Sequence, residues 1–222
     1  MQTKINLRSK TSFFLAVICL FSHSSFSQAK EKFISKIYLQ AEGGTATRSG
    51  LPVGFGLQAI SKNNWTATIS YHSINMEPKN IPADFNAGTT IILFIPIPQK
   101  QPSIDLKLLS FNMGRNYGVG KNTWITTEAG LSFVSGKKID FSKNPNNQST
   151  WLLIAGEIPS NYTYNEEKKK AIGAMLKADF NWAFASFAGL GAGVFTNINS
   201  IQSPLGFQFK LLFGNVGRSR KF

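Results

Sequence analysis

Apolar and polar residues alternate with period two over most of the chain, in runs separated by clusters of turn residues. The clearest run is the last, where Leu205, Phe207, Phe209, Leu211 and Phe213 alternate with Gly206, Gln208, Lys210, Leu212 and Gly214. Similar runs set Ala188, Leu190, Ala192 and Val194 against Gly189, Gly191 and Gly193, and Ile172, Ala174, Leu176, Phe180 and Trp182 against Gly173, Lys177, Asp179 and Asn181. Ile125, Ala129, Leu131 and Phe133 alternate likewise with Thr126, Glu128, Gly130 and Ser132. Successive strand side chains point to opposite faces, so each run predicts a half-buried strand rather than a helix. Weaker versions at 33–44, 52–61, 64–74 and 103–117 bring the predicted strands to eight. In the last of these, a change of parity near Leu108-Leu109 reads as a β-bulge.

The connections differ in length. Lys62-Asn63, Gly118–Lys121 and Ala185-Ser186 are short turns, whereas 76–102 and 137–170 are long, polar and irregular. Short turns at one rim and longer loops at the other predict an all-β fold, an antiparallel up-and-down transmembrane β-barrel. Two apolar runs lie inside the long connections, Thr89–Pro98 and Trp151–Ile154. Thr89–Pro98 reads either as an extended hairpin arm rising from the barrel or as a segment docking a partner protein, and the alternative takes both runs as two further spanning strands, making ten.

Alternation alone does not say which face points inward. Volume does. An eight-stranded barrel has an interior just wide enough to be filled by side chains. It cannot hold Phe133, Phe180, Trp182, Phe184, Phe207, Phe209 and Phe213 together, whereas the opposite face of Gly, Ser, Thr, Asn, Gln and charges fits. The apolar face is therefore expected outside, against lipid, where only a closed barrel satisfies its own backbone. A lipocalin-like soluble barrel is the alternative that this packing disfavours. Over about 33–214 the chain resembles the small eight-stranded outer-membrane barrels, of the kind formed by the transmembrane domain of outer membrane protein A. Members of that class commonly end in an outward aromatic that assembly machinery recognises, and Phe213 has that parity, with Gly217–Lys221 as a basic tail beyond it.

The first 27 residues fit this destination. Lys4, Arg8 and Lys10 precede the apolar run Phe13–Phe21, and Ser25-Phe26-Ser27 stands before Gln28. That is the pattern of a cleaved secretory signal, with 28–222 as the mature barrel in the outer membrane of a Gram-negative envelope. Ile18 before Cys19 does not suit lipidation, and removal of the segment leaves a chain without cysteine. It also lowers the formal charge from +13 to +10. In an exported chain this excess points to lipid and lipopolysaccharide phosphates, not nucleic acid.

Candidate chemistry is sparse. His72, with Ser70 on the same strand face, is the one base and nucleophile pair. Some eight-stranded outer-membrane barrels are lipid A deacylases, but here both residues have inward parity, away from lipid. Lys168, Lys169 and Lys170 form a basic run where the longest loop rejoins the barrel, a solvated face or a contact for lipopolysaccharide phosphates. No metal cluster, nucleotide loop or catalytic triad is visible, so no cofactor is expected. The inward face carries Lys36, Lys107, Lys177 and Lys210 against Glu42, Asp105, Glu128 and Asp179. Balanced charge on a buried face predicts an ion-pair network that plugs the lumen, with Glu128 and Lys177 as its central pair. The expected role is structural or interactive, without catalysis, with another envelope protein as a candidate partner through the loops. A small channel, or the deacylase, is the alternative.

Overall fold

The computed structural model describes residues 33–93, 95–99, 101–145, 150–152 and 155–217. The expected signal segment, Cys19, Gln28, Leu153-Ile154 and the tail beyond Gly217 lie outside them.

Eight strands close on themselves in the order β1-β12-β11-β10-β7-β6-β3-β2. They are β1 (Ile34–Ala46), β2 (Leu51–Ser61), β3 (Trp65–Met76), β6 (Ile104–Gly118), β7 (Thr123–Lys143), β10 (Tyr162–Ala183), β11 (Ala188–Ile198) and β12 (Leu205–Asn215). Every neighbouring pair is antiparallel, including the closing pair β1 and β12. One rim carries both ends of the barrel and the turns 62–64, 119–122 and 184–187; we call it the terminal rim, and the opposite one the loop rim.

The apolar alternation lies outside. Leu39, Phe55, Ile69, Phe111, Phe133, Ile172, Phe207 and Phe209 are each at least 45% exposed. Trp65, Tyr117, Trp182 and Phe184 are exposed near the terminal rim, with the Arg115 guanidinium 4.1 Å from the centre of the Trp65 ring. A soluble barrel would turn these groups inward, since an exposed apolar belt of this extent is unfavourable in water.

One alternative is excluded and two expectations are corrected. First, the runs in the long connections do not make ten barrel strands. They form β4 (Thr89–Ile92), β5 (Ile95–Pro98), β8 (Thr150–Leu152) and β9 (Ala155–Ile158), a separate sheet of order β5-β4-β9-β8. Pro96 and Pro98 cannot donate to a ladder, which suits β5 to the edge of that sheet. Second, 137–170 is not all loop. β7 and β10, of 21 and 22 residues, stay paired from Lys143↔Tyr162 down to Thr123↔Trp182. A spanning strand needs about 9–11 residues, so this strand pair runs well beyond the spanning length. Third, β6 has no bulge. Its register is continuous against β3 and β7, and Ile104, Leu106, Leu108 and Ser110 all point inward. Asp105 and Lys107 therefore face outward and are exposed.

Candidate functional site

The interior is layered. Near the terminal rim, Tyr38, Ile60, Trp124, Ala183, Leu212 and Val216 pack into one buried apolar cluster. Toward the loop rim, Ile74, Met76, Ile104, Leu106, Leu108, Val134, Ile139, Met175 and Phe195 form a second. Between them lies a polar layer with five buried charged side chains, Glu42, Glu128, Lys177, Asp179 and Lys210, together with His72.

Glu42 is its hub. His72 Nε2 lies 2.5 Å from Glu42 Oε2. A carboxylate only accepts, so the ring proton is on Nε2. Lys177 Nζ reaches the same carboxylate at 3.3 and 3.4 Å and also donates to Ser70 Oγ at 3.2 Å. Lys210 Nζ is 3.6 Å from Glu42 Oε1 and donates to Asp179 Oδ2 at 2.7 Å. Gln208 Nε2 donates to the other Asp179 oxygen at 2.9 Å. Unpaired charges would be costly at this depth, and each of these has a partner.

Glu128 is held differently. Its Oε1 accepts from Gln58 Nε2 at 2.6 Å and from Thr68 Oγ1 at 2.7 Å, while Tyr38 donates to Gln58 Oε1 at 2.6 Å. The expected Glu128–Lys177 pair is thus replaced by Glu42–Lys177, although Glu128 and Lys177 are direct cross-strand neighbours. In a narrow barrel a long side chain reaches the opposite wall, so its partner is set by closure of the sheet.

Of the eight residues expected in the network, the polar layer gathers Glu42, Glu128, Lys177, Asp179 and Lys210. Lys36 is half-buried at the terminal rim, with Nζ 3.3 Å from the centre of the Trp124 ring. Asp105 and Lys107 are on the outer surface and take no part. Outward polar residues at that height no longer meet the apolar belt, and the inward positions beside them belong to the upper apolar cluster. The inward-is-polar rule reverses there. His72 was missed as a network member; its inward parity and position on β3 were the available signal.

Small residues make room for these long side chains. A Cβ on Gly54 would lie 2.5 Å from His72 Cδ2, and one on Gly191 would lie 2.6 Å from Asn181 Oδ1. Ser70 and His72 are both about 1% exposed, and Ser70 Oγ is 2.8 Å from Ser110 Oγ, not on the imidazole. A lipid outside cannot meet that pair. Among the described residues no group of His, Cys, Asp and Glu is placed to hold a metal.

No family model and no curated protein matches the chain. Among solved structures the fold is similar to the N-terminal β-barrel domain of Pseudomonas aeruginosa OprF, at 10% identity over 81% of this chain and 96% of that one, with a TM-score of 0.47. Neisserial surface protein A is similar at 11% identity, 81% and 96% coverage and a TM-score of 0.48. Ail, the attachment invasion locus protein of Yersinia pestis, is similar at 8% identity, 82% and 96% coverage and a TM-score of 0.43.

Proposed function

We propose that this chain is an integral outer-membrane barrel with a sealed lumen, serving the envelope through its structure and through its loop-rim surface rather than by catalysis or transport. The observation that carries this reading is the distribution of polarity. The outside of the closed barrel is an exposed apolar belt, and the inside is a polar layer, with ion pairs centred on Glu42, between two apolar clusters. A barrel in lipid needs the first, and a plug needs the second.

The interactive part of the role rests on the second sheet. Ile92, Leu93, Ile95 and Ile97 are 48–63% exposed at or beside β4 and β5. Such a patch suits contact with another envelope protein. In this reading the loop rim faces the cell exterior, as the longer loops of outer-membrane barrels do.

Cell fractionation and gel mobility test the proposal together. The protein should sediment with outer membranes and run at different positions when boiled and unboiled. Recovery in the soluble periplasm with identical mobilities would overturn it in favour of a soluble lipid-binding barrel.

A further inference from the structure

Leu109, Phe133 and Ile172 stand side by side in register on β6, β7 and β10, and all three are exposed. One outward step toward the loop rim, the same strands carry Lys107, Ser135 and Lys170, again in register and exposed. The next such position on β10 is Lys168, directly opposite Lys137. The surface changes from apolar to cationic within two residues, about 7 Å along a strand.

Carboxylates offset only part of the charge on this face. Glu166 takes Lys137, and Asp105 accepts from Asn75 Nδ2 at 2.6 Å. Nearby, Lys138 and Lys169 have their own partners, Asp140 at 2.9 Å and Glu167 at 3.2 Å. Among the described residues no carboxylate forms an ion pair with Lys107, Lys168 or Lys170. Like charges directly opposite on a sheet are destabilising, as at Lys137 and Lys168. Lys107, Lys137, Lys168 and Lys170 outnumber Asp105 and Glu166, so this face keeps a positive excess that an anionic ligand can offset.

We propose that Lys107, Lys168 and Lys170, with the Ser135 hydroxyl between them, bind the phosphate of an outer-leaflet glycolipid whose acyl chains lie along Leu109, Phe133 and Ile172. The site rests on the membrane reading above and places the phosphate where the apolar belt ends. Lys107 and Lys170 flank Ser135 by one strand spacing each, so their backbones are about 10 Å apart and both flexible ammoniums reach a phosphate between them. Lysine serves here as a point charge, which suits a phosphate of variable orientation.

The probe is diphosphoryl lipid A in phosphatidylcholine vesicles holding the folded protein, beside lipid A stripped of its phosphates. Lipid retained by the barrel after mild detergent extraction is measured. The K107Q/K168Q/K170Q variant should weaken retention by about a hundredfold, given the contribution of each ammonium near an anionic surface. Removing the phosphates should weaken it comparably. K79Q/K138Q/K143Q, with the same change of charge at the same rim, should leave retention within about twofold of wild type. Equal loss in both variants, or undiminished retention of the stripped lipid, would overturn the site. So would full displacement by an equal concentration of inorganic phosphate, which would assign the lysines to a free anion. Boiled and unboiled mobility is read on each sample. A chain that never enters vesicles refutes the membrane reading and this site with it, whereas a folded barrel indifferent to phosphate refutes the site alone.

Discussion

Lys177 and Glu128 stand directly opposite each other on β10 and β7, yet no ion pair joins them. Lys177 crosses the lumen to Glu42 on β1, 3.3 Å away, while Glu128 is held by the neutral donors of Gln58 and Thr68. Energetic coupling should follow the contacts and not the register. Removing one partner of a buried pair costs about 3–5 kcal/mol, so Lys177→Ala and Glu42→Ala should each destabilise the barrel on that scale. A double-mutant cycle by urea unfolding in vesicles should give a larger coupling for Glu42 with Lys177 than for Glu128 with Lys177. The reverse order would show that the lumen pairs by register.

The strands and their faces are legible in the sequence because lipid outside and a narrow lumen inside impose opposite chemistry on alternate residues. The rule fails where its cause ends. At Ile104, Leu106 and Leu108 the inward positions close the lumen with apolar groups, while Asp105 and Lys107 stand above the belt. Reading polar as inward there required a bulge that the structure lacks; unbroken parity from Ile104 to Asn112 was the better guide. The hub at Glu42 was hidden for another reason. Its contact with Lys177 spans 135 residues and exists only because β1 pairs with β12.

This correction can be checked by cysteine substitution in the chain from Gln28 onward, which has no cysteine of its own. Lys107→Cys should react readily with a membrane-impermeant thiol reagent added outside vesicles that display the loop rim. Leu106→Cys, replacing a side chain with no exposed area, should stay unlabelled. Labelling at 106 with protection at 107 would restore the bulge.

Close packing beside His72 predicts a contrast between two glycines. Gly54→Ala would press a Cβ to within 2.5 Å of His72 Cδ2, and overpacking of this kind costs about 1–3 kcal/mol. Gly43→Ala meets nothing within 4 Å on the outer face and should be near neutral or slightly stabilising. Equal urea midpoints for the two variants would mean that the interior has more slack than these contacts show.

The plug proposed above, two apolar clusters with a polar layer between them, predicts a lumen without an ion path. Wild-type protein in a planar bilayer should show negligible single-channel conductance. Steady, large conductance steps would require a different interior and would favour a transport role.

The most direct measurement concerns which face meets lipid. Trp182 is outward and 47% exposed, whereas Trp124 is inward and 1% exposed. Two variants, each retaining one of these tryptophans with the other three changed to phenylalanine, are folded into vesicles of lipids brominated along their acyl chains. Strong quenching of Trp182 fluorescence with Trp124 largely spared is the expected result. Equal quenching of both, or Trp182 left as bright as in unbrominated lipid, would contradict a barrel that turns its apolar face to the membrane.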